Sequence, residues 1–212
     1  MKQKHIIDTF KGLTGPVVLF LIFAFHQEDN ITAWVYLALH GTYGILWILK
    51  SQIYGDKQWE QPVTLVRGAM LVSGLSMYWI APLVITYYSV QAHPVQIAIA
   101  VAMFGFGGFF HFASDLQKHV QLQLKPGLIT TGLFSRTRNP NYFGEFLIYS
   151  SFALLPIHGL SWWIGFLPAI GFASIIAVEW IPNILRKEKS LSRYPEFAAY
   201  KKRSGLLIPF IF

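Results

Sequence analysis

Cysteine is absent, so the chain has no disulfide, no thiolate nucleophile and no zinc–thiolate site. Charge is scarce as well. Asp, Glu, Lys and Arg make up 13% of the 212 residues, roughly half the share usual in soluble proteins. Cations are missing altogether from three loops, those holding QEDN, SVQAHP and LPIHGL. No internal repeat and no low-complexity tract is visible, and no separate soluble domain, so residues 1–212 read as a single integral membrane domain.

What is there is apolar. Hydrophobic residues make up 54% and aromatics 17%, and the mean hydropathy is +0.45. A soluble fold of this length cannot hide so much apolar surface, so its solvent is lipid. Hydrophobic runs predict about six spans, near 10–26, 31–49, 67–90, 94–114, 142–157 and 159–181. The first and fifth are short for a bilayer core of about 30 Å. The fifth is expected to tilt across, or to line a cavity half-embedded. The expected fold is all-α, a multi-pass transmembrane helix bundle.

The N-terminal MKQKHIIDTFKGL is basic and precedes an apolar run, as a signal peptide would, but no small-residue cleavage site follows GPVVLFLIFAFH. It reads as a first span that stays. With that N-terminus cytoplasmic, all 17 Lys and Arg fall on the inside segments and none outside. Both termini are therefore expected to be cytoplasmic. The formal net charge of +7 then reflects topology and anionic lipid, and no nucleic-acid partner is expected. The expected location is the inner membrane in a bacterium or the endoplasmic reticulum in a eukaryote.

Ionisable groups in or at the mouth of spans are costly, which makes them functional candidates. In HGTYGILWILK, His40, Tyr43, Trp47 and Lys50 share one helical face. They suit either interhelical hydrogen bonding with a snorkelling lysine or a proton donor at a buried ligand. Gly41 and Gly44 let a helix or ligand come close, and Glu60 in QWEQP caps that region or is plain loop. In HFASDLQK, His111, Asp115 and Lys118 share a face. An Asp115–Lys118 ion pair would explain two of them, but a carboxylate also suits a ribose diol and a lysine suits a phosphate.

The densest polar stretch is SRTRNPNYFGEF, which opens an apolar run. Pro140 suits a first helical position and Asn139 a cap. The free N–H groups of that helix start favour an anion, and Arg136 and Arg138 beside it can grip phosphate. Asn141, Glu145 and Tyr149 follow on one face, and Glu145 at that depth needs a partner or a proton. In VEWIPNILRKEK, Glu179, Asn183 and Arg186 form another polar face. RYPEF and YKKRSGLLIPFIF read as an interfacial tail. Three helix ends thus converge on a pocket for a charged, nucleotide-like cofactor, with a hydrophobic small-molecule substrate arriving from lipid.

The series ASDLQKHVQLQLKPG, GLFSRTRNPNYFGEFL, RYPEF and LIPFIF resembles the C-terminal domain of steroid 5-alpha-reductases, a superfamily shared with sterol reductases and isoprenylcysteine carboxyl methyltransferases. The resemblance covers about residues 104–212. It implies that Asp115, Asn141 and Glu145 bind NADPH, helped by Arg136, Arg138 and Tyr142. It makes residues 104–212 a cofactor-binding half. The expected activity is NADPH-dependent reduction of a lipid-like or steroid-like enone or alkene. Hydride would come from the cofactor and a proton from His40, Tyr43, Tyr78 or Glu60. The alternative is an S-adenosylmethionine-dependent methyltransferase of the isoprenylcysteine carboxyl or phospholipid type. No metal is expected. One departure stands out: the steroid reductases' early Gln-Glu pair has no direct counterpart, since Gln58 and Glu60 are split by Trp59, and His40 and Tyr43 are the alternative for its role.

Overall fold

The computed structural model describes residues 1–159 and 162–211. Helix accounts for 77% of the structure and no strand occurs among the described residues. Among the described residues, five helices are long and apolar enough to cross a bilayer: α1 (Gln3–Ala24), α2 (Ile31–Tyr54), α3 (Leu65–Tyr87), α4 (Pro94–Leu124) and, later in the chain, Trp163–Leu191. Between the last two lies α5 (Pro140–Leu154), of 15 residues. The long closing span is α6, and a short α7 (Phe197–Arg203) ends the helical part. The fold is therefore a multi-pass helical bundle. Side chains such as Phe20, Ile45 and Ile53 point outward, 68%, 62% and 71% exposed, which suits lipid rather than water.

The fifth of the six expected spans is the short one, as its apolar run implied. At 1.5 Å per residue, α5 is about 22 Å long, short of the hydrocarbon core. Elsewhere the helices overrun their apolar windows. The first begins at Gln3 rather than residue 10, and the fourth and last run on to Leu124 and Leu191. Backbone hydrogen bonding carries a helix past the point where its side chains turn polar, so hydropathy marks the apolar stretch and not the helix ends. Leu160 and Ser161, inside the expected 159–181 span, and the final Phe212 of LIPFIF lie outside the described residues.

The chain divides into two compact units. The first comprises Met1–Ala102 and Ser150–Phe172, the second Met103–Tyr149 and Ala173–Phe212. In the first, α1 and α2 cross closely because Gly44 sits against the Lys11 carbonyl, where a Cβ would collide with backbone. In the second, α4 and α5 cross at Gly107 and Gly144. A Cβ on Gly107 would come within 2.7 Å of the Gly144 oxygen, and one on Gly144 within 2.8 Å of the His111 Cα. These are small-residue crossings of the kind helices use inside membranes.

Candidate functional site

In the first unit, the close α1–α2 crossing delivers Lys11 to the polar face of α2. Lys11 is only 3% exposed. Its Nζ donates to the Tyr43 hydroxyl at 2.9 Å. The same ammonium lies 3.9 Å from the Trp47 ring centroid and 5.3 Å from that of Tyr78. Aromatic faces stabilise a desolvated cation through their quadrupoles. One turn before Lys11, Asp8 accepts from Trp47 Nε1 at 3.0 Å and from Ser51 at 2.8 Å, which fixes the indole that faces the ammonium.

His40 stands beside this group, 2% exposed. Phe152 stacks on its ring at 4.1 Å, with Tyr43 and Tyr78 at 6.3 and 5.7 Å. Its Nδ1 is 2.8 Å from the Tyr36 hydroxyl, which also donates to the Tyr78 carbonyl at 3.1 Å. His40 lies in a π-helical turn, Leu37–Gly41, within α2. Such bulges are often found at functional sites because they re-aim side chains. The structure thus brings His40, Tyr43 and Tyr78 together.

Glu60 lines a cavity with Asp8, Trp47 and Lys50 and is engaged in ion pairs. Its carboxylate pairs with Lys2 at 2.7 Å and with Lys4, and hydrogen bonds from these two lysines lower its pKa to about 2. This ion pair occupies the carboxylate that was expected as one of the proton donors. Lys50 is buried rather than snorkelling, its Nζ 4.6 Å from the Trp47 centroid.

The second unit holds the expected cofactor residues. The Gly107–Gly144 crossing places His111 Nδ1 3.3 Å from the Asn141 carbonyl. Asp115 is buried one turn further along α4, with Lys118 half-buried beyond it. Tyr142 packs edge-on against Trp180 at 5.3 Å and Tyr149 lies at 6.3 Å from the same ring. Trp180 closes a second π-helical turn, Ile176–Trp180, which contains Glu179. Glu145 is half-buried on α5. Asn141 Oδ1 is buried without a hydrogen-bond partner in the structure. Helix α5 thus touches α4 at Gly107–Gly144 and α6 at Tyr142–Trp180.

Two expected roles at the start of α5 change. Arg138 is buried, with Nε 2.9 Å from Glu188 and its guanidinium also bonded to the Ser204 carbonyl and hydroxyl. It ties the helix start to the tail instead of offering itself to an anion. The Asn139 side chain does not cap the helix: Nδ2 donates to the Leu206 carbonyl at 2.8 Å and Oδ1 accepts from Lys187 at 2.9 Å. Both amide ends are spoken for by the tail and α6. Thr137 donates to the Leu207 carbonyl at 2.8 Å. Tyr200 donates to the Phe134 carbonyl at 2.6 Å, and burial pushes its hydroxyl up to about 12. Arg136 stays exposed, its guanidinium 5.8 Å from the Phe210 ring. Arg186 is exposed and donates to Asn183 at 2.6 Å, so that pair is satisfied locally.

Sequence reasoning missed Lys11, Tyr36 and Phe152. Lys11 was counted among the inside cations, yet Asp8, Lys11 and Thr14 recur every three residues, one polar face on an otherwise apolar helix. That spacing was the available signal. Nothing in the local sequence marks Phe152, which reaches His40 only through tertiary packing.

A sequence profile of the family described as "Protein of unknown function (DUF1295)" matches residues 1–204. The chain belongs to that family. The match extends across both compact units, beyond the C-terminal half on which the reductase resemblance rests. No curated protein and no solved structure matches the chain.

Proposed function

We propose that the protein is an NADPH-dependent membrane reductase acting on a lipid-like or steroid-like enone or alkene. The observation that carries this reading is the buried pairing of Lys11 with Tyr43 beside Tyr78. Reduction of an activated alkene needs a proton delivered where bulk water is excluded, whereas methyl transfer to a carboxylate does not. Tyr43 is the proton donor in this reading. As its proton leaves, negative charge grows on its oxygen, and the Lys11 ammonium 2.9 Å away stabilises it. The surrounding rings of Trp47, Tyr78 and Phe152 keep the group dry and accept a flat apolar substrate.

Residues of the second unit fit the cofactor. Asn141 Oδ1, buried and lacking a partner, suits an amide N–H or a ribose hydroxyl. Asp115 and Glu145 suit further ribose or carboxamide donors, and Arg136 and Lys118 suit phosphate. NADPH, when bound, supplies hydride. The steroid 5-alpha-reductase resemblance of residues 104–212 supports the same assignment. A second reading, an S-adenosylmethionine-dependent methyltransferase, is favoured by one observation. Arg138 is committed to Glu188 and Ser204, which leaves one fewer cation for phosphates.

Thermal unfolding of the detergent-solubilised protein separates the two. A ligand that binds only the folded state at a hundredfold excess over its Kd stabilises by about 2.7 kcal/mol. NADPH is expected to raise Tm and S-adenosylmethionine to leave it unchanged. Stabilisation by S-adenosylmethionine alone overturns the reductase reading and promotes the methyltransferase. The variants Tyr43→Phe and Lys11→Met are expected to lose turnover while keeping the NADPH-induced shift.

A further inference from the structure

His40 is a deeply enclosed polar ring of the first unit, and its hydrogen bonds fix more than its position. The Tyr78 carbonyl can only accept, so the Tyr36 hydroxyl at 3.1 Å donates to it. A hydroxyl carries one hydrogen. The second contact of the Tyr36 oxygen, 2.8 Å from His40 Nδ1, is therefore one in which Nδ1–H donates. In the neutral ring that assigns the proton to Nδ1 and leaves a bare lone pair on Nε2. Nε2 is buried and has no hydrogen-bond partner in the structure. A buried acceptor left unsatisfied is costly, and a ligand's donor would remove that cost.

We propose that His40 Nε2 is a hydrogen-bond acceptor for the hydroxyl or N–H group of an otherwise apolar ligand. The rings of Phe152, Tyr43 and Tyr78 around the imidazole set the apolar part of that ligand. His40 then does not act as the proton donor; it reads a donor on the substrate, while Tyr43 faces the group to be protonated. This rests on the reading that the cluster receives the substrate, but not on which cofactor or reaction follows. The ligand class is a neutral lipid-like alcohol or amine-free amide, not a plain hydrocarbon or an ether.

The test uses the full chain in detergent, without cofactor, with dodecanol and dodecyl methyl ether as probes. Nitrogen NMR of histidine-labelled protein, assigned with His40→Phe, is expected to show His40 as the Nδ1–H tautomer. Dodecanol should perturb the bare Nε2 resonance. Dodecanol should also bind about two- to tenfold more tightly than the ether, the range of one net hydrogen bond, and His40→Phe should erase that preference. Tyr36→Phe supplies a second variant. It removes the oxygen that receives Nδ1–H, frees the tautomer, and should weaken or reverse the preference. An Nε2–H tautomer in the parent protein overturns the proposal, as does equal binding of alcohol and ether or binding of neither. Because no cofactor is present, these outcomes are separate from the NADPH stabilisation test of the reductase reading.

Discussion

Removing Glu188 should loosen the start of α5. Its carboxylate accepts from Arg138 Nε at 2.9 Å, where the two side chains are 15% and 5% exposed. At that burial the pair is poorly screened, and truncating one member strands a charge that water cannot reach. Such losses run to about 3–5 kcal/mol. Arg138 keeps the Ser204 carbonyl and hydroxyl after the change, so the lower figure of about 3 kcal/mol applies. At roughly 2–4 °C per kcal/mol for a chain of this size, Glu188→Ala should lower Tm by roughly 6–12 °C. Glu188→Gln keeps an acceptor and should lose less. In a double-mutant cycle with Arg138→Met, the second change should cost far less once the first is made. The readout is thermal unfolding in one detergent at one protein concentration. A Tm for Glu188→Ala equal to that of the parent, or additive single effects, would refute the claim that this ion pair anchors the segment.

Three further outcomes follow from other parts of the fold. Gly144→Val should destabilise by about 3 kcal/mol or more, read by denaturant unfolding, because the new side chain meets backbone of His111 and Gly107 that cannot rotate away. The Glu60 pKa is depressed from 4.5 to about 2, so its contribution is present above about 4.5 and is lost as pH falls towards 2. The protection factor of the Gln3 amide, whose N–H bonds the Gln61 carbonyl at 3.1 Å, should hold steady near neutrality and fall across that acidic window; an unchanged protection factor there argues against the tether. A reporter placed near His93 should score as extracytoplasmic and one fused after Phe212 as cytoplasmic. The opposite result for the C-terminal fusion would mean that α5 does not cross.

The sequence by itself determined the solvent and the class. A chain with 54% hydrophobic residues and 13% charged ones must fold in lipid, where every backbone polar group must be bonded within the protein, and continuous apolar runs of about 20 residues select helices over the shorter, alternating strands of a barrel. It also determined where chemistry could sit. His40, Tyr43, Asp115 and Asn141 stand out because polar groups in apolar runs are costly, and cost is visible one residue at a time. Pro140 as the first residue of α5 was legible for the same local reason, a fixed φ and an N–H the helix does not need there. Tertiary structure alone decided which of these groups have work left to do. Whether Arg138 faces an anion or Glu188, and whether Asn139 caps its helix or ties down residues 204–207, depends on partners some 50 to 70 residues away. Lys11 became a neighbour of Tyr43 only because Gly44 lets two helix backbones touch. Composition and periodicity act locally, whereas the pairing of buried charges depends on which helices cross and at which residue, and that is set by packing.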